Sequence, residues 1–209
     1  VLRILVGQKG DDRYDTGDWG AGGGGGTFVV KNDNWNDPDN ILVIAGGGAG
    51  SDDRNQNNAN LAVMGGSIHT SGNMGSCGQQ PGANGGGGHG SAASGAAGFL
   101  QRGLSGHAST KPQAFIEGGL GADYHWDGGF GGGGGPYNGG GAGGGWSGGS
   151  GCDANSSGGG GSLNNGDDQL NWSAADPSDD DQAGSFDGYG GCLDGCPEGN
   201  YAQGWVLIQ

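Results

Sequence analysis

Three sets of residues have types and spacings that could do chemistry. Gly145-Trp-Ser-Gly-Gly149 matches the G-x-S-x-G spacing that raises a serine nucleophile at a strand–turn–helix junction. In a chain of 209 residues with 59 glycines and 16 serines, about one such match arises by chance, and no helix follows it. His69, His89, His107 and His125 recur at intervals of 20, 18 and 18 residues, which invites a stack of metal ligands. None has a second histidine or a carboxylate one helical turn away, so they read as ordinary polar loop residues. The third set is acidic. Gly118-Gly-Leu-Gly-Ala-Asp123 and Gly148-Gly-Ser-Gly-Cys-Asp153 begin like the calcium-binding nonapeptide, but they are not tandem. The large apolar residue expected two places after each Asp is replaced by His125 and Asn155.

None of the acidic loops at 11–18, 33–39 and 176–181 supplies both the sixth-place glycine and the twelfth-place glutamate of an EF-hand. They read as free loops. The carboxylates that could hold Ca2+ are Asp33, Asp37, Asp39, Asp179, Asp180 and Asp181. No catalytic residue and no organic cofactor is expected, and the chain reads as a non-enzyme.

Four cysteines, Cys77, Cys152, Cys192 and Cys196, make an even set in a Gly- and Asn-rich chain, which favours an oxidising, extracellular setting. Three pairings are open. The short loop from Cys192 to Cys196 favours a local bridge, which leaves Cys77 to meet Cys152 across the body of the chain. A C-x3-C pair is weak evidence for zinc. Asn155-Ser-Ser and Asn171-Trp-Ser are sequons for N-linked glycans, consistent with secretion. The chain starts at Val1 without a leader, as expected after processing or in a piece of a longer protein.

The elements that must position these groups are unusual. Glycine supplies 59 of 209 residues against roughly 7% in ordinary proteins. That disfavours a helical bundle, because each interior glycine costs about 1 kcal/mol against alanine. The net charge is −15, and there is no Lys or Arg from Pro112 to Gln209. So few cations exclude phosphate-backbone binding, hence no nucleic acid. No apolar run of about 18 residues offers a membrane span. Six tryptophans and several apolar runs oppose disorder.

Strands are expected at about 1–6, 27–31, 41–45 and 205–209, with the last returning beside an early one. Between 46 and 190 stand the tracts Gly85–Gly88, Gly131–Gly135, Gly139–Gly141, Gly143–Gly145 and Gly158–Gly161. A pleated sheet of glycine has no side chains to pack. Collagen needs glycine at every third place with abundant proline. The remaining regular state is the extended helix with three residues per turn and no internal hydrogen bonds. Side by side, such helices can bond to one another through the backbone, because no Cβ stands between them. Tryptophans at tract ends would cover this bundle or join it to the strands; one or two exposed ones could stack on sugars.

Leu2-Arg-Ile-Leu-Val-Gly-Gln-Lys-Gly10, Gly20-Ala-Gly-Gly-Gly-Gly-Gly-Thr-Phe-Val-Val30, Ile41-Leu-Val-Ile-Ala-Gly-Gly-Gly48, Gly128-Gly-Phe-Gly-Gly-Gly-Gly-Gly135 and Gly143-Gly-Gly-Trp-Ser-Gly-Gly149 occur in that order. The series resembles the extracellular glycine-rich domain of the anaplastic lymphoma kinase and leukocyte tyrosine kinase type, found also in secreted and surface proteins. The resemblance implies polyglycine helices attached to a jelly-roll-like sandwich. Pro136-Tyr137 stands where the receptors carry a cysteine, and the early disulfide-bearing insert is replaced by the acidic loop. Receptor signalling is therefore not carried over.

The expected protein is one glycine-rich domain over 1–209. Its fold class is irregular to all-β, a polyglycine bundle of about 46–190 on a small sheet or partial jelly roll, without significant α-helix. The expected role is a secreted structural or adhesive module, the repeating subunit of a filament or matrix. Partners would be further copies or other extracellular proteins and glycans. A ligand- or glycan-binding ectodomain and an ice-binding protein are the alternatives.

Overall fold

The computed structural model describes residues 1–11, 20–31, 34–50, 64–104, 111–123, 127–153 and 156–166. The strands are β1 (Leu2–Leu5), β2 (Thr27–Lys31), β3 (Ile41–Ala45) and β4 (Leu163–Asn164). They form one antiparallel sheet in the order β1-β2-β3-β4. The helical elements with described bounds are two 3-10 turns, Pro38–Asn40 and Phe115–Glu117. The architecture is thus a small sheet in a largely irregular chain. Three strands fall where apolar β-branched runs predict them.

The fourth place in the sheet is a correction. Leu163–Asn164 lies beside β3, although the sequence reading assigned these residues to the glycine-rich body. Two residues carry no alternation to read. Leu163 pairs with Ile44 and packs on the core, and that contact sets its register. The expected strand at 205–209 lies outside the described residues.

The core lies on one face of the sheet. Phe28, Val30, Ile41 and Ile44 meet Phe99 and Phe115, with Leu5, Trp35, Trp146 and Leu163 around them. Phe115 stacks on Phe28 and Phe99 at ring centroids 4.2 and 5.2 Å apart, and Trp35 meets it edge-on at 5.4 Å. Glu117 holds the 3-10 turn that carries Phe115: its carboxylate accepts from Ala114 N at 3.1 Å and from Arg102 Nε at 2.8 Å. Trp35 and Trp146 thus take the joining role expected of tryptophans; Trp19, Trp126, Trp172 and Trp205 lie outside the described residues.

Away from the core, backbone amides do the pairing, and they do it with a period of three. Ser94, Gly95 and Ala96 donate to Gly135 O, Leu104 O and Gly149 O, at 3.0, 3.0 and 3.1 Å. The next three residues repeat the cycle: Ala97, Gly98 and Phe99 donate to Gly132 O, Gln101 O and Trp146 O, at 2.9, 3.0 and 2.8 Å. Each donor three places on meets an acceptor three places back on the same neighbour. Gly22 and Gly25 likewise bond to Asp11 O and Gln8 O, while Gly23 and Gly26 bond to Gly134 O and Gly131 O. Gly141 and Gly144 bond to Ala21 O and Gly24 O, a parallel pair, and Gly143 and Trp146 bond to Gly158 O and Gly161 O. A pleated strand directs its groups with period two. Period three is that of an extended chain turning by a third per residue.

Close approach explains the glycines in this network. A Cβ on Gly160 would overlap the Gly144 carbonyl, and one on Gly149 would overlap that of Gly158. The network also includes residues 7–11 and 20–26, so the glycine-rich body begins well before residue 46. The run Gly131–Gly135 is not uniform either. Gly131 and Gly132 have φ of 105° and 87°, turning the chain where both amides bond to Gly119 O.

Candidate functional site

The serine of the G-x-S-x-G match is consumed by structure. Ser147 is fully buried, its hydroxyl donating to Thr70 O at 2.7 Å and accepting from Gly85 N at 3.2 Å. Ser94, Ser150 and Ser157 are buried in the same way. Ser94 Oγ accepts from Gly135 N at 2.6 Å and donates to Gly135 O at 3.2 Å. Ser150 Oγ accepts from Gly75 N at 2.8 Å, and Ser157 Oγ bonds to Gly140 O and accepts from Cys152 N. Apart from Gly135 O, which also accepts from Ser94 N, these hydroxyls bond to main-chain groups outside the backbone-to-backbone network. Sequence reasoning missed this structural role; the signal at each was a serine followed directly by glycine.

Of the metal candidates, Asp37 and Asp39 are among the described residues, and they belong to no group that could hold a metal ion. Asp37 caps the turn Pro38–Asn40, accepting from Asp39 N at 3.1 Å and from Asn34 Nδ2 at 3.2 Å. Asp33, Asp179, Asp180 and Asp181 lie outside the described residues, as do His107 and His125. His69 and His89 enter the network through their backbone carbonyls, which accept from Ser162 N and Gly151 N. Among the described residues no group of three His, Cys, Asp or Glu side chains is placed to hold a metal ion.

The disulfide expectation is met in part. Cys77 and Cys152 are bridged, with Cα atoms 5.6 Å apart and a separation of 75 in sequence. This bridge occupies the second nonapeptide-like segment. Cys192 and Cys196, and the sequons at Asn155 and Asn171, lie outside the described residues. Among the described residues no helix is long and apolar enough to cross a membrane.

Among the described residues an open cleft of about 620 Å3 lies between the segment after β1, the residues after Gly119 and the stretch 127–130. Asp11, Asp123, Asp127 and Lys9 supply its charge, with Leu120 and Phe130 as apolar walls. Asp11 N donates to Asp127 O at 2.8 Å, and Gln8 N donates to Phe130 O at 2.9 Å, so backbone bonds fix its rim. Burial, then the negative charges of Asp123 and Asp11, push the Asp127 carboxyl above its ordinary value of 3.8. The cleft is therefore a weakly cation-attracting recess. Its acids come from places 116 residues apart in sequence, which is why the sequence did not bring them together.

No protein family matches the sequence, and no curated protein is similar to it.

Proposed function

We propose that this chain is a secreted, non-enzymatic structural or adhesive module built on polyglycine helices. The observation that carries the reading is the repeated three-residue cycle of backbone bonds from Ser94 to Phe99. A chain bonded on three sides through its amides forms a rigid body without a large apolar interior, suited to holding polar loops at fixed positions. The Cys77–Cys152 bridge supports an oxidising compartment. The order of glycine and strand motifs supports kinship with the glycine-rich ectodomains of the anaplastic lymphoma kinase type. The net charge of −15 keeps such a body solvated and away from nucleic acid.

Its working state is self-association into a filament or matrix. Electron microscopy and sedimentation of the purified chain, over a range of salt and protein concentrations, test this. Stacked subunits are the expected result; a monodisperse monomer under every condition contradicts it.

The cleft at Asp11, Asp123 and Asp127 favours a second reading, a ligand-binding ectodomain that takes a cationic group on a protein or glycan. Under it, a soluble partner is captured by the monomer, and capture is lost on Asp123→Asn with Asp127→Asn.

A further inference from the structure

The bridge between Cys77 and Cys152 joins two sulfurs that differ in access. Cys77 lies in a turn closed by Gly78 N, which donates to Gly75 O at 3.1 Å, and it stands between the exposed Ser76 and Gly78. Gly78 has φ of 74°, and a Cβ there would meet nothing within 4 Å, so the turn stands at an open surface. Cys77 itself is half-buried, whereas Cys152 is fully buried. The main chain of Gly75 lies over the Cys152 sulfur, where a Cβ would come within 2.5 Å of it. The Cys77 amide donates to Cys152 Sγ at 3.2 Å. Two further bonds hold the turn to the same stretch of chain. Gly75 N donates to Ser150 Oγ and Ser76 N donates to Ser156 O, both at 2.8 Å.

We propose that Cys77 is a site of reversible S-thiolation by a small thiol of the glutathione class. The incoming thiolate attacks Cys77 Sγ, the bond between the two cysteines breaks, and its electron pair leaves on Cys152 Sγ. One disulfide is lost and one is formed, so the step needs no outside oxidant. Which sulfur is attacked depends on access, and attack runs along the line of the bond from the far side of that sulfur. At Cys152 the nucleophile would have to enter the closed interior; at Cys77 it meets a surface turn. The Cys77 amide is already aimed at the departing sulfur, and its bond strengthens as that sulfur becomes charged. The Gly75 and Ser76 bonds keep the turn in place, so the bridge opens at one end while the glycine network stays closed. Cys152 Sγ then remains beside Cys77 and can expel the small thiol, which makes the modification reversible. The site depends on neither the filament nor the ligand-binding reading.

The test treats the intact chain with excess reduced glutathione, quenches with acid, blocks the free thiols and maps the glutathione adducts at Cys77 and Cys152 by mass spectrometry. In native buffer the adduct should fall on Cys77 about tenfold or more over Cys152, and in denaturant, where access is equal, the two should approach parity. Hydrogen exchange of the adduct should show protection lost around Cys77 and Cys152, with the amides of Gly95 to Phe99 as protected as in the bridged chain. Parity in native buffer, or an excess on Cys152, overturns the proposal. So does an adduct that forms only in denaturant, which assigns the opening to unfolding. A preference for Cys77 that persists in denaturant overturns it too, since local sequence rather than the fold would then select the sulfur. Protection lost throughout the adduct contradicts an opening confined to the bridge.

Discussion

The aromatic cluster under the sheet and the glycine network beside it solve the same problem with opposite materials. In the cluster, Phe28, Phe99 and Phe115 exclude water with side chains, and the backbone is paired by β1, β2 and β3 in pleated register. In the network most positions are glycine, and the amides, helped by a few buried serine hydroxyls, close the interior. The difference teaches where each region is fragile. The cluster is hurt by losing atoms. The network is hurt by gaining them, and a single methyl is enough.

Three substitutions separate the two behaviours, read as changes in unfolding free energy by denaturant titration. Phe115→Ala should cost most, about 3–5 kcal/mol, because its ring is stacked on two others and its loss leaves a cavity. A cost below 1 kcal/mol would mean that the cluster is not a packed core. Gly160→Ala comes next, at about 3 kcal/mol, the upper range for overpacking, since its Cβ meets the Gly144 backbone rather than a movable side chain. Gly48→Ala is its control. The nearest atom there, Met64 O, would be 3.4 Å from the new carbon, and the change should stay within about 0.5 kcal/mol of neutral. Equal effects at the two glycines would show that close backbone approach is not what selects them.

Ser94→Ala should cost about 1–2 kcal/mol by leaving Gly135 N and O without their hydroxyl partner. Ser94→Gly should not recover the loss, which distinguishes a missing hydroxyl from a tight fit. The smallest effect belongs to Asp127. Its folded pKa is raised, so the folded chain disfavours its charged form. The resulting loss of stability is absent below 3.8 and develops as pH rises from there through the folded pKa. Asp127→Asn should flatten that part of the stability–pH curve and leave the rest unchanged. A curve that keeps its shape would show that the cleft carboxylates do not repel one another.

The strands were legible because Leu2–Leu5, Thr27–Lys31 and Ile41–Ala45 are short, mostly apolar runs next to glycine-rich or polar segments. The long-range bridge between Cys77 and Cys152 was legible by elimination, once the other two cysteines were set aside as a local pair. β4 was not, because two residues have no period and Leu163 is placed by Ile44 from across the chain. The cleft was not, because Asp11 and Asp127 are far apart in sequence and meet through long-range bonds, Asp11 N to Asp127 O and Asp127 N to the Asp11 carboxylate. The early start of the glycine body, at residues 7–11 and 20–26, was hidden for a similar reason. Gly7 and Gly10 sit among polar residues, and only their neighbours in space reveal the close contact. Glycine tracts state that backbones approach; they do not state which ones.

The central claim is the three-residue rotation of hydrogen bonds, and NMR couplings across hydrogen bonds observe it directly. In the intact chain, the amides of Gly95, Ala96 and Ala97 should couple to the carbonyl carbons of Leu104, Gly149 and Gly132. Gly98 should then return to the neighbour used by Gly95, through Gln101. Couplings in which every second amide returns to one neighbour, as in a pleated sheet, or no couplings at all, would contradict the account.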